Sequence, residues 1–179
     1  TQTENNKTTT QSNLYNGDGQ RIQKTEGDNS INYYYQNGNV LYTTDKDEKK
    51  TSHNFVGLEG NTISTMRYNI SGLEYYVYNK DIKGSTTNII DNNKNAKISY
   101  KYSDFGETEE FGDTDFYNEI AYTGGIYDES TALYYLNARY YNPEDARFIT
   151  QDTYRGEVNE PNTLHLYTYC ANNPINYVD

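Results

Sequence analysis

Aromatic and aliphatic residues alternate with polar ones over short runs, and each run stops at a turn signal. Leu14-Tyr15 precede Asn16-Gly17-Asp18-Gly19, and Arg21-Ile22-Gln23-Lys24 resume the alternation. Residues 31–35 and 40–42 flank Asn37-Gly38. Period-two alternation bounded by such signals predicts strands. Asp18-Gly19 and Asn37-Gly38 both suit type I′ hairpin turns, whose central residues need positive φ. Further strands are expected over 55–58, 62–68, 73–78, 87–90 and 97–102. Turns are expected over 69–72, at Lys83-Gly84-Ser85 and at Asp91-Asn92-Asn93-Lys94. Residues 107–118 have weak periodicity and read as a loop. Residues 162–169 suit a strand or a short helix, and 175–178 a last strand. Strand–turn units recur about every 10 residues, the spacing of an all-β meander or repeat. No 3.6-residue periodicity is sustained, so helix is minor. Residues 1–13 are polar and read as disordered or a linker.

Composition sharpens this picture. Hydrophobic residues make up 34% of the 179, and 22 residues are Tyr. Aliphatics are too few for a thick core, so any core is built from Tyr rings whose hydroxyls need a polar partner. That excludes a helical bundle and a nucleotide-binding α/β domain. The absence of an apolar run of about 18 residues argues against a membrane span. A net charge of −11 argues against binding nucleic acid, since phosphate is repelled. Cys170 is the single cysteine, so no internal disulfide forms, and both reducing and exterior compartments stay open. The polar start without a signal peptide and the abrupt end on Tyr177-Val178-Asp179 suggest a piece of a longer polypeptide.

Several motifs carry a family resemblance. Residues 15–24 run Tyr, Asp-Gly, Arg, Lys. Residues 76–106 contain Tyr76-Val77-Tyr78, Asp81-Ile82-Lys83-Gly84-Ser85 and Tyr100-Lys101-Tyr102-Ser103-Asp104-Phe105-Gly106. Residues 122–152 hold Tyr122-Thr123-Gly124, Tyr127-Asp128, Leu133-Tyr134-Tyr135, Ala138-Arg139-Tyr140-Tyr141-Asn142-Pro143, Arg147-Phe148-Ile149 and Asp152. Leu166-Tyr167-Thr168-Tyr169 and Asn172-Asn173-Pro174-Ile175 continue the pattern. These stretches resemble YD repeats followed by the core region of bacterial Rhs proteins. The resemblance implies YD-repeat hairpins over 14–118 and an Rhs-associated core over 119–179. It implies a Tyr-rich β-hairpin ribbon, part of a hollow shell that encloses and delivers a C-terminal toxin. The partners it implies are the rest of the shell and that toxin, and the location is secreted or at a bacterial cell surface. In some members the core is an aspartyl autoprotease that cuts the cargo free.

Candidate chemistry follows from this alignment. Asp152 and Asp179 fall at the aspartates of the protease motif, where two carboxylates sharing a proton activate water. Arg139 matches the core arginine, which would orient a carboxylate bidentately. The plain alternatives are turn or cap aspartates and an arginine tied into the hairpins or stacked on rings. Arg147 has the same two readings. The pattern departs from the family at Thr153 (usually Pro), Asn142 (usually Asp) and Ala146 (usually Gly). His53 and His165 lack partners at ligand spacing, so no zinc site is expected, nor any cofactor. Acidic runs at 45–48 and 107–115 lack a calcium-loop pattern and read as solvated surface. Tyr33-Tyr34-Tyr35, Tyr75-Tyr76 and Tyr134-Tyr135 suit either cross-strand packing or stacking on surface sugars.

Overall fold

The computed structural model describes residues 2–4, 7–113 and 115–177. A short hairpin comes first, β1 (Gln2–Glu4) and β2 (Lys7–Thr9). The ribbon follows: β3 (Gln11–Tyr15), β4 (Arg21–Glu26), β5 (Asn29–Gln36), β6 (Asn39–Thr44) and β7 (Lys50–Val56). It continues with β8 (Thr62–Asn69), β9 (Gly72–Lys80), β10 (Thr86–Asp91), β11 (Ala96–Tyr102) and β12 (Thr108–Gly112). β3 to β12 form one ten-stranded antiparallel meander in which each strand lies beside its sequence neighbours. β13 (Ile126–Asp128), β14 (Leu133–Leu136), β15 (Arg139–Asn142) and β16 (Arg147–Phe148) form a second, four-stranded meander. The architecture is all-β, as the alternation predicts. Tyr122–Gly124, Pro161–Leu164 and Cys170–Asn172 are single 3-10 turns.

The hairpin tips explain the recurring Asx-x-x-Gly signal. At Asn16, Asp45, Asp81 and Asp91 the side-chain Oδ1 accepts the backbone N–H groups two and four residues on. The same loops close by backbone bonds such as Asp81 N to Ser85 O at 2.9 Å and Gly84 N to Asp81 O at 3.1 Å. The residue three places on takes a left-handed conformation: φ is 79° at Gly19 and 82° at Gly84. Glycine adopts this without a Cβ penalty. So Asp18-Gly19 is not a two-residue I′ turn, as the dipeptide suggests. The loop starts earlier, at Asn16, whose side chain captures the backbone. Asn37-Gly38 does have positive φ at both positions, 51° and 81°, as a I′ turn requires.

Other expectations shift. Residues 108–112 pair with β11 rather than forming a loop. Glu109, Glu110 and Phe111 are all exposed on this edge strand, which erases the alternation that marks a half-buried strand. The 162–169 stretch contributes a 3-10 turn, and Thr168 makes an isolated bridge to Arg147. Residues 175 and 176 form a turn, and Val178 and Asp179 lie outside the described residues.

Ten strands laid flat would span about 43 Å at 4.8 Å each, and four strands about 14 Å. Yet the small sheet touches both ends of the large one. Gln11 Nε2 of β3 donates to Asp128 Oδ2 at 2.9 Å, and the Tyr15 and Tyr140 hydroxyls meet at 3.0 Å. At the far end the Tyr141 hydroxyl donates to Phe105 O at 2.6 Å, and Tyr134 bonds Thr108. The large sheet is therefore curled, and the small one closes it into a ring. Register shifts near Tyr15, Tyr35, Thr44, Val56, Asn88 and Ile90 supply the bending, since bulges bend strands and raise their twist.

The core is built from rings, as composition requires. Tyr122, Tyr134, Tyr141, Phe148 and Tyr169 pack together at the β11–β12 end. Tyr76, Tyr78, Ile89, Ile98 and Tyr100 line β9 to β11. Tyr33, Ile126 and Tyr135 pack at the β5 end. Hydroxyls from these layers donate to backbone carbonyls: Tyr102 to Thr86 O at 2.7 Å, and Tyr122 to Asp104 O at 2.6 Å. Gly106 admits that second ring, because a Cβ there would lie 2.6 Å from Tyr122 Cδ1.

Candidate functional site

Arg139 opens β15, and Asp152 follows β16 on the same side of the small sheet. Arg139 Nη1 lies 2.9 Å from Asp152 Oδ2, with the arginine side chain 16% exposed and the aspartate 34%. Asp152 Oδ1 accepts the N–H of Tyr154 at 2.9 Å, and its own N–H donates to Leu166 O at 2.8 Å. The aspartate is thus both a turn cap and the partner of an arginine. The Arg139 guanidinium also sits 3.5 Å from the Phe148 ring centroid. It is therefore paired and stacked at once, and the two readings of its role coexist. Asp179, the second aspartate of the motif, lies outside the described residues. Arg147 is exposed at the outer strand of the small sheet. Asn142 Oδ1 accepts the Glu144 N–H at 3.0 Å, the same cap an aspartate would make. Ala146 has φ 56°, which accounts for glycine being usual there.

Other candidates resolve into packing. His53 meets the edge of Phe55, with ring centroids 5.4 Å apart. Cys170 is buried. Among the described residues no group of three or more His, Cys, Asp or Glu is placed to hold a metal ion. Of the tyrosine clusters, Tyr33, Tyr76, Tyr134 and Tyr135 are buried, whereas Tyr34 and Tyr75 face solvent.

A buried ionic network escapes the sequence. Arg21 and Asp128 are both fully buried, and the Arg21 Nη1 bonds Asp128 Oδ2. Lys24 bonds Glu119 and lies 3.5 Å from Asp128 Oδ1. The Tyr33 hydroxyl donates to Glu119 at 2.9 Å. The rings of Tyr33, Tyr135 and Tyr140 surround the Arg21 guanidinium, with centroids 5.1, 4.8 and 6.0 Å away. Burial opposes the charge on Lys24, but Glu119 and Asp128 outweigh it and hold the ammonium above its ordinary range. Burial first, then Glu119, pushes the Tyr33 phenol well up. Two cations thus meet two carboxylates in a nearly dry site. The pairs are 95 to 107 positions apart in sequence, and no local pattern announces them.

Inside the ring lies an open cavity of about 1010 Å³. Its lining includes Thr43, Asn54 and Thr65 from the ribbon, and Asn118, Glu119 and Thr123 from the segment before β13. The ribbon side is already bonded to itself. Thr65 Oγ1 donates to Asn54 Oδ1 at 2.8 Å, and Asn54 Nδ2 to Val40 O at 3.0 Å. These polar groups are satisfied within the wall, and Ile31, Val40, Tyr78, Ile126 and Leu136 bring aliphatic and ring surface to the same lining.

Comparison with known proteins fits this geometry. The teneurin YD-shell family profile matches residues 14–175. The chain is 36% identical to the tRNA3(Ser)-specific nuclease WapA of Bacillus spizizenii over 169 residues, 92% of this chain and 7% of that protein. It is 31% identical to Teneurin-m of Drosophila melanogaster over 104 residues, 57% of this chain and 4% of that protein. A crystal structure of TcdB2–TccC3 with Cdc42 superimposes with a TM-score of 0.72 at 20% identity, over 94% of this chain and 9% of that one. The chain spans under a tenth of the length of each of these relatives.

Proposed function

This chain belongs to the teneurin YD-shell family, and on that premise we propose that it is a wall and closing segment of a shell. The shell encloses and delivers a toxin domain carried on the same polypeptide, exported to or beyond a bacterial surface. In this reading residues 14–118 are wall and 119–179 the core that closes it. The observation that carries the reading is the ring itself, curled around an open cavity lined by both polar and apolar side chains. The relative named as a tRNA nuclease supports an enzymatic cargo. Limited proteolysis of a polypeptide that includes this segment and the domain beyond it tests the idea. The expected result is protection of that domain until the ring is opened by urea. Equal cutting of enclosed and isolated domain would overturn it.

The Arg139–Asp152 ion pair favours a second reading, an aspartyl autoprotease formed by Asp152 and Asp179 with Arg139 orienting the first carboxylate. In a polypeptide extending past Asp179, intact mass is expected to show a cut chain for wild type and an uncut one for Asp152→Asn. An uncut wild-type chain sinks this reading and leaves the shell untouched.

A further inference from the structure

The two seams that close the ring differ in chemistry and in sequence distance. At the β11–β12 seam, the Tyr122 and Tyr141 hydroxyls reach backbone carbonyls 18 and 36 positions away. That seam is nearly local, because the core follows β12 directly in the chain. At the β3–β4 seam the partners are more than 100 positions apart in several contacts, and buried ion pairs join tyrosine hydroxyl bonds there.

The long-range seam has a selection problem. The ribbon offers a series of similar antiparallel hairpins with rings and hydroxyls on the inner face. Contacts between rings depend on buried area and discriminate poorly between such seats. The inner positions next along the sheet are Thr43, Asn54 and Thr65, none of them a cation. Arg67 on β8 is already engaged, its guanidinium carbon 4.4 Å from the Phe116 ring centroid and 4.9 Å from that of Tyr76, and Lys80 on β9 is held by Thr86 Oγ1 and the Tyr78 ring. A core seated on another hairpin would bury Asp128 and Glu119 without their partners, and a buried unpaired charge is among the costliest errors a fold can make.

We propose that Arg21, Lys24, Glu119 and Asp128 form a register key, which selects the one hairpin on which the core closes the ring. The network's role is to choose the seat, while stability comes from the rings around it. Single buried polar residues fix register in coiled coils in the same way. The Tyr33, Tyr135 and Tyr140 rings around Arg21 hold the key's shape, and Gln11 extends it to the edge strand through Asp128.

The test places spin labels at Asp18→Cys, on the exposed β3–β4 tip, and at Glu144→Cys, on the exposed β15–β16 tip, in a Cys170→Ala background. Wild type is expected to give one narrow distance. The neutral quartet Arg21→Met, Lys24→Met, Glu119→Gln and Asp128→Asn is expected to keep the β-sheet circular dichroism signal. Its distance should split into two populations roughly 10 Å apart, the width of one hairpin. Lys24→Glu sets a third carboxylate against Glu119 and Asp128 and is expected to empty the native distance. A single unshifted distance in the neutral quartet, loss of its folded signal, or retention of the native distance in Lys24→Glu would each overturn the proposal.

Discussion

Left-handed backbone at the hairpin tips sets rules for single residues. Glycine fills most of these positions, but Lys94 has φ 66° and Ala146 φ 56°. An L-residue there carries a penalty of roughly 1 kcal/mol, which glycine removes, partly offset by its greater freedom when unfolded. Lys94→Gly and Ala146→Gly are each expected to stabilise by about 0.5–1 kcal/mol, read as a raised urea midpoint. Asp91 illustrates the cap on the same loop. Its carboxylate is held below the usual range by backbone N–H groups of Asn95 and Asn93, so its contribution is present above the unfolded value and fades as pH falls through the folded one. Lys80 runs the other way: burial pushes its ammonium down to about 8, although Nζ donates to Thr86 Oγ1 at 2.9 Å and sits over the Tyr78 ring. The folded protein then binds fewer protons than the unfolded chain between about pH 8 and 10.5, so this group lowers stability at neutral pH and the loss is relieved as pH rises. Lys80→Met is expected to raise the melting temperature at pH 7 and to gain less at pH 10. Such turn chemistry is largely legible in sequence, because Asx and Gly act within five residues. The misplaced turn at Asp18-Gly19 shows the limit: one dipeptide fits two loop types, and the side chain of Asn16 decides.

Strands and seams are legible in proportion to how local their cause is. The alternation in β4, β5, β8 and β9 marks them as strands from the order of their residues, because each has one face in the ring and one in water. β12 escapes detection for the opposite reason, since its residues from Glu109 to Gly112 are all exposed. The family motif brings Arg139 and Asp152 to attention, and the fold places them 2.9 Å apart. The Arg21–Asp128 pair is illegible: its halves lie on separate sheets and meet only when the ring closes. Removing one half leaves the other charge buried. Asp128→Ala is expected to cost about 3–5 kcal/mol, measured by denaturant unfolding. Thr87→Ala, which loses only an exposed bond to Asn79 O, is expected to change little.

At the scale of the whole molecule, the tyrosine core makes stability depend on alkaline pH. Burial raises the phenols of Tyr35, Tyr102, Tyr134, Tyr141 and Tyr169 above their ordinary value. A group with a raised folded value contributes fully below its unfolded value, near 10, and the contribution is lost as pH rises toward the folded one. Unfolding is therefore expected to set in above about pH 10. Ionisation followed by ultraviolet absorbance should then be cooperative and coincide with loss of the β-sheet circular dichroism signal. Independent, gradual titration of the same rings would contradict the core described above.

The long-range seam also sets a timetable. A ribosome adds about 5–20 residues each second. Arg21 and Asp128 are 107 positions apart, so the first emerges roughly 5–20 s before the second. Over that interval the ribbon's first hairpins can form, but their cations have only water for company. The ring is open by necessity during synthesis, and whatever must enter or be kept out has that window in which to do so.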